Sequence, residues 1–105
     1  ERRKMIIELS GEDRLLTVRM DGELDHKSAE VVKTCVEKEI RRTGALNIAF
    51  DFSGVSFMDS SGIGLVMGRF KTVNSLGGKI ILYGMNSYIE RIMRMSGIER
   101  IAEIY

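Results

Sequence analysis

The sequence is poor in the residues that build disulfides and metal centres. It contains one cysteine, Cys35, and one histidine, His26, among 105 residues. A single cysteine excludes an internal disulfide, and one cysteine with one histidine is too few for a structural zinc site. We therefore expect no metal site, and a reducing cytoplasm as the compartment.

Long apolar runs and an excess of one charge are also missing. No segment approaches the roughly 20 apolar residues that cross a bilayer, so we expect no membrane partner. Sixteen basic and fifteen acidic residues leave a formal charge of +1, which provides no overall field to attract nucleic acid. The one basic cluster, residues 2–4, is typical of a solvated chain end. Binding to a partner is therefore expected to depend on a local site and not on the overall charge of the chain.

Proline is absent, which is compatible with tight connections made by glycine and polar residues. The hydrophobic content of 44% and the charged content of 30% are close to those of globular proteins. A chain of this length suits one hydrophobic core better than two. Residues 1–105 are therefore predicted to form a single domain.

The first half of the chain predicts a hairpin followed by a helix. Apolar runs at residues 5–9 and 15–20 flank a turn at residues 10–13, which indicates two antiparallel strands. A loop at residues 22–25 follows, and Asp25 is a suitable N-cap for a helix that begins near His26 and ends near Gly44. Apolar residues at helical spacing predict its buried face: Ala29, Val32, Val36 and Ile40.

The second half predicts two more strands and two more helices. Residues 46–52 alternate as a strand with one buried face, and residues 53–58 connect it to a helix from residue 61. Residues 79–84 are almost entirely apolar, as in a strand covered on both faces inside a sheet. The predicted apolar faces are Leu46, Ile48, Phe50 and Phe52 in the strand; Ile63, Val66, Met67, Phe70 and Val73 in the second helix; and Ile89, Ile92 and Met93 in the third.

Residues 98–104 predict either a last short strand or an irregular tail. The element order is then β-β-α-β-α-β-α, which contains two strand-helix-strand units. The predicted fold is an α/β domain with a mixed sheet and helices packed on it.

The most informative segment is residues 59–64, which read DSSGIG between a strand and a helix. The first amides of a helix lack internal partners and carry about half a positive elementary charge, so they favour an oxygen cap or an anion. Glycine inside a helix costs up to about 1 kcal/mol relative to alanine. The free-energy cost of Gly62 and Gly64 therefore has to be offset, for example by close approach of another molecule to the backbone.

Several interpretations of this segment remain open from pattern alone. Ser60 is either an ordinary N-cap, with the glycines packed against the sheet, or part of a site for an anion. Neither a dinucleotide fingerprint nor a P-loop is present. A hydrolase triad of Ser60 with His26 and an aspartate is disfavoured, because the nucleophile-elbow pattern is missing.

Residues 56–64 (SFMDSSGIG) and 22–26 (GELDH) closely resemble the STAS-domain anti-sigma factor antagonists. The likeness spans nearly the whole chain and includes residues 77–79 (GGK) and 95–97 (MSG). It implies that Ser60, directly after the motif aspartate, is the phosphorylation site. It also implies a further C-terminal helix, which we expect to be absent or trimmed here.

The resemblance implies a partner-switching cycle without catalysis by this domain. The unphosphorylated protein is expected to bind an anti-sigma factor that is also a serine kinase, and so to release a sigma factor, in sporulation. The kinase uses ATP to phosphorylate Ser60, and a serine phosphatase restores the antagonist. The expected partner-binding residues are Glu23, Asp25, Met58, Asp59, Ser60, Ser61, Gly62, Ile63 and Gly64.

Two alternatives accompany this expectation. Asp25 is as suitable for a helix cap as for a partner contact. Domains of this type also occur in transporters and sensors, so a sensor of small ligands or nucleotides is the alternative function. Of the methionines, Met67 and Met93 are predicted to lie in the core and Met58 at the interface.

Overall fold

The computed structural model describes residues 5–105, so the basic cluster at residues 2–4 lies outside the described part. The elements are β1 (Ile6–Glu12), β2 (Leu15–Leu24), α1 (His26–Thr43), β3 (Asn47–Met58), α2 (Ser60–Asn74), β4 (Ile80–Tyr83), α3 (Ser87–Met95) and β5 (Ala102–Ile104), with a 3-10 turn at Ile98–Arg100. The strands form one sheet in the order β1-β2-β3-β4-β5. Only β1 is antiparallel to its neighbour. The predicted α/β class with a mixed sheet is confirmed.

The β1–β2 hairpin is longer than the sequence predicts. Its strands pair as far as Glu12 opposite Leu15, so residues 10–12 belong to β1 and not to the turn. Asp13 and Arg14 make the turn with positive φ angles of 52° and 64°. Two such residues match the right-handed twist of the flanking strands.

Helix α1 begins as predicted, at a capping box built by Asp25. The Asp25 carboxylate accepts a hydrogen bond of 3.0 Å from the Ser28 amide, and the Ser28 hydroxyl accepts one of 2.9 Å from the Asp25 amide. The helix ends at Gly44, whose left-handed backbone donates to Ile40 O at 2.8 Å. The predicted buried face is confirmed at all four residues: Ala29, Val32, Val36 and Ile40.

Replacing Asp25 with alanine is expected to lower the free energy of unfolding by about 1 kcal/mol, because the Ser28 amide at the start of α1 loses its carboxylate acceptor. Urea denaturation measures this loss. Lys27→Ala, at an exposed position of the same turn, is the control and should leave stability nearly unchanged. Equal stability of Asp25→Ala and the wild type would show that the capping box contributes nothing.

Strands β2 and β3 extend further than the sequence predicts, and this extension positions the site. Residues 22–24 and 53–58 were predicted to be loop and connection, but Glu23 pairs with Phe57 and Leu24 with Met58. Two register shifts lie between Arg19 and Glu23. Such irregularities interrupt the alternation of apolar residues that identifies a strand.

One face of the sheet packs against the helices. Ile48, Phe50 and Phe52 of β3 are fully buried there, as predicted. In β4, Ile80 and Leu82 are buried, whereas Ile81 and Tyr83 are only half-buried. Strand β4 does lie inside the sheet, but the prediction that it is covered on both faces is wrong, because its other face is only partly covered.

The end of the chain adds a fifth strand to the predicted order. Helix α3 buries Ile89 and Met93, as predicted. Residues 98–104 then form the 3-10 turn and β5, which pairs in parallel with β4. Within residues 5–105, no helix is long and apolar enough to cross a membrane.

Candidate functional site

Helix α2 is capped by Asp59 and begins at Ser60. The Asp59 carboxylate accepts a hydrogen bond of 2.8 Å from the Ser61 amide, and the Asp59 backbone is extended. Ser60 is therefore the first helical residue, and the interpretation of Ser60 as the N-cap is wrong. Because Asp59 already satisfies one amide of the first turn, the Ser60 side chain is not needed as the cap.

The two neighbouring serines differ in accessibility. Ser60 is exposed, whereas Ser61 is half-buried and lines a groove between α1 and α2. A kinase needs to reach the hydroxyl that it modifies. Of the two serines, Ser60 is the more accessible to another molecule.

The ends of β2 and β3 bring both sequence motifs together. The Asp59 amide donates a hydrogen bond of 3.2 Å to Leu24 O, which joins the start of α2 to the end of β2. Glu23 and Asp25 flank Leu24, and both are half-buried. They lie beside Asp59 and Ser60 in the fold, so they remain candidates for partner contacts.

Gly62 and Met58 pack against each other in the hydrophobic core. Met58 is fully buried. A Cβ atom on Gly62 would overlap Met58 Sδ and Cγ and come within 3.1 Å of Leu24 Cδ2. The prediction that Met58 lies at the interface is therefore wrong, and packing alone explains Gly62.

The exposed face of α2 runs away from Ser60. Gly64, Met67 and Lys71 follow Ser60 at helical spacing, and all four residues are exposed. We call Ser60, Gly64, Met67 and Lys71 the α2 stripe. Met67 is 43% exposed, so the prediction that it lies in the core is wrong.

The buried side of α2 is formed by Leu65, Val66 and Val73, together with Gly62 and Arg69. Of the five predicted core positions, Val66 and Val73 are buried, and Ile63 and Phe70 are half-buried. The prediction missed the phase of the helix because a glycine and an arginine occupy positions on the buried side. Ile63 remains a candidate for partner contact at its half-buried position.

One exposed aromatic residue near the site escaped the sequence analysis. Phe57, opposite Glu23 in the sheet, is 41% exposed. Exposed large apolar side chains beside polar residues are frequent at protein interfaces. The sequence analysis missed Phe57 because the end of β3, which carries this residue, was interpreted as a connection.

The geometry offers little to an enzyme or a metal. His26 is exposed at the start of α1 and lines the groove, whose lining does not include Ser60. Within the described residues, no three His, Cys, Asp or Glu side chains are grouped so as to hold a metal ion. The site instead combines an exposed hydroxyl with an open helix face.

Three comparisons relate the chain to known proteins. The model of the STAS domain family matches residues 6–105. The anti-sigma F factor antagonist of Paenibacillus polymyxa is 35% identical over 99 residues, which cover 94% of this chain and 85% of that protein. This relative is named as an antagonist of another protein and not as an enzyme, in agreement with the prediction of a domain without catalysis.

The solved structures of SpoIIAA, an anti-sigma factor antagonist, have the same fold. The unphosphorylated form matches with a TM-score of 0.83 and 29% identity, covering 95% of this chain and 88% of that one. The phosphorylated form, described as a Bacillus cell fate determinant, matches with a TM-score of 0.76 and 29% identity, covering 95% and 91%. The resemblance predicted from residues 22–26 and 56–64 is confirmed.

Proposed function

The chain belongs to the STAS domain family, and from that membership we propose that it is an anti-sigma factor antagonist switched by phosphorylation of Ser60. The unphosphorylated form binds an anti-sigma factor that is also a serine kinase, and a sigma factor is released. ATP serves the kinase and is not a cofactor of this chain. A serine phosphatase returns the antagonist to its binding form, and the setting is the cytoplasm of a sporulating bacterium.

One observation carries the proposal: an exposed serine opens α2 directly after an aspartate cap, in a chain similar to a named anti-sigma F factor antagonist. The similar protein SpoIIAA is described in both an unphosphorylated and a phosphorylated form. Ser60 is the more exposed of the two serines at the start of α2. It is therefore the residue on which the same modification would act here.

The local charges explain how a phosphate would act as a switch. Phosphorylation adds about −1.5 to −2 charges at neutral pH, next to the Asp59 carboxylate. In the free protein, water solvates this charge and the helix start favours it by about 0.3 to 1 kcal/mol. In a complex the charge loses its water, and without a cationic partner it costs several kcal/mol. Phosphorylation is therefore expected to leave the fold stable and to weaken binding in the complex.

Gly64 supports a binding role for the α2 stripe. A Cβ atom on Gly64 would have no heavy atom within 4 Å outside its local backbone, so packing within this chain does not require glycine there. We expect Gly64→Ala to raise the free energy of unfolding by up to about 1 kcal/mol, because alanine favours the helix. The same methyl group should weaken binding to the anti-sigma factor, because it keeps the partner's backbone at a distance.

Urea denaturation and isothermal titration with the anti-sigma factor measure both effects. Asn74→Ala is the control, since it also introduces alanine at an exposed position of α2, at the end remote from Ser60. This variant should retain wild-type affinity. Unchanged affinity of Gly64→Ala would contradict the assignment of Gly64 to the interface.

A release assay tests the proposed function. The unphosphorylated chain is added to a preformed complex of the cognate anti-sigma factor and its sigma factor, and free sigma factor is measured by size-exclusion chromatography. Release in proportion to the added chain is expected. A sigma complex that persists at a large excess of the chain would contradict the proposed function.

A further inference from the structure

A groove runs between α1 and α2 beside the α2 stripe. Its volume is about 300 Å³, which is room for one or two side chains. It shares Gly64 with the stripe and is otherwise lined by residues of both helices: His26, Ala29, Glu30 and Lys33 of α1, and Ser61, Leu65, Gly68 and Arg69 of α2.

The groove exists because its lining includes very small residues. Ala29, Gly64 and Gly68 contribute at most a methyl group each. A Cβ atom on Gly64 or Gly68 would have no heavy atom within 4 Å outside its local backbone. Packing within this chain therefore does not exclude a Cβ atom at either position, and the space that the two glycines leave is open to another molecule.

Arg69 supplies a second and independent observation. It is 5% exposed, and its Nη2 atom lies 3.0 Å from Glu37 Oε2. Its Nε atom is buried and has no hydrogen-bond partner. A buried donor without an acceptor is unfavourable and rare in native proteins. Arg69 lines the groove, so a hydrogen-bond acceptor that enters there and displaces the atoms covering Nε would satisfy it.

The chemistry of the lining selects the kind of acceptor. Lys33 and Arg69 are cationic, Glu30 is the one acidic side chain of the lining, and Glu37 outside the lining pairs with Arg69. An ionised carboxylate only accepts hydrogen bonds, and it forms its strongest ones with such cations. Gly64 belongs to both the groove and the α2 stripe, so a protein docked on the stripe can also reach the groove.

We propose, building on the function proposed above, that this groove receives an aspartate or glutamate side chain of the anti-sigma factor, bound between Lys33 and Arg69. The contact adds a charged anchor beside Ser60. It also explains why α2 keeps two open glycines on the side that faces the groove. The groove has room for one or two side chains but not for a helix.

Charge reversal at Lys33 tests the proposal by isothermal titration with the cognate anti-sigma factor. Lys33→Glu is expected to weaken binding by about tenfold or more, because it places a like charge beside the incoming carboxylate. Lys38→Glu is the matched control, since it makes the same charge change at an exposed position of α1 outside the groove. It should retain wild-type affinity within about twofold. Thermal melts confirm that both variants fold.

The outcomes separate the two proposals. If the wild type does not bind the anti-sigma factor, the proposed function itself fails. If the wild type binds and Lys33→Glu binds equally well, only the groove assignment is overturned.

A carbodiimide, which joins an amine to a carboxylate in direct contact, provides the second test. In the wild-type complex we expect mass spectrometry to find Lys33 joined to an aspartate or glutamate of the anti-sigma factor. Cross-links from other lysines but none from Lys33 would overturn the proposal. One further pair of results would also overturn the proposal. In this pair, inorganic phosphate shifts the Lys33 and Arg69 amide signals in NMR spectra of the free chain, but Lys33→Glu leaves the affinity for the anti-sigma factor unchanged.

Discussion

Ser60→Asp is expected to weaken binding to the anti-sigma factor by about a hundredfold, a change of ~2.7 kcal/mol. The substitution places a carboxylate at the exposed first position of α2, next to the Asp59 carboxylate. Burying this charge in the complex without a cationic partner costs several kcal/mol, which exceeds the loss that we expect. The free protein should be as stable as the wild type within about 1 kcal/mol, since a helix start tolerates negative charge.

Two further variants make this result specific to Ser60. Ser75→Asp introduces the same charge at the exposed opposite end of α2, so it should lose stability but retain affinity. Ser60→Ala should bind with wild-type affinity. Adding ATP to its complex should not release it, because the kinase has no hydroxyl to phosphorylate at position 60. Equal affinities of Ser60→Asp and the wild type in isothermal titration would contradict the electrostatic switch.

Gly62→Ala is expected to lower the free energy of unfolding by about 2 kcal/mol, although alanine is the better helix former. Its methyl group would overlap Met58 Sδ and Cγ, and Met58 is fully buried. Overpacking of a core costs about 1 to 3 kcal/mol, and the helix preference returns at most ~1 kcal/mol. For a domain of this size the melting temperature should fall by about 10 °C.

Gly64→Ala is the matched control for Gly62→Ala, because the same methyl group two residues later meets open space. The two variants should therefore change stability in opposite directions. A double-mutant cycle of Gly62→Ala with Met58→Ala identifies the cause, since the two losses should not add if both residues share one space. Wild-type stability of Gly62→Ala would show that Met58 moves aside freely.

The sequence predicted those parts of the fold that depend on local rules. Asp25 and Gly44 mark the ends of α1 because a carboxylate cap and a left-handed glycine act within one helical turn. The buried face of α1 followed from the 3.6-residue period alone. Both rules need only neighbours in the sequence, which is why these predictions are confirmed.

Features that depend on distant partners were harder to predict. The strand at residues 53–58 is held by its pairing with β2, across register shifts that hide its alternation. The phase of α2 depends on the sheet beneath it, so Met67 was wrongly assigned to the core. Met58 was wrongly assigned to the interface because the end of β3, which carries it, was interpreted as a connection. Arg69 gave no signal at all, because its burial depends on Glu37 of the neighbouring helix.

The candidate site was predictable in position but not in the role of each residue. Pattern alone treated Gly62 and Gly64 alike, whereas the structure separates a glycine required by packing from one left open. Pattern also left Ser60 between an N-cap and part of a site for an anion. The structure excludes the N-cap, because Asp59 caps α2 and Ser60 is exposed at its first position.

The most direct test is to incubate the chain with its cognate anti-sigma factor kinase and ATP, and to locate the phosphate by mass spectrometry of the intact chain and its fragments. We predict one added phosphate, on Ser60, and none on the Ser60→Ala variant. A phosphate on Ser61, or no phosphate on the wild-type chain, would contradict the assignment of Ser60 as the switch.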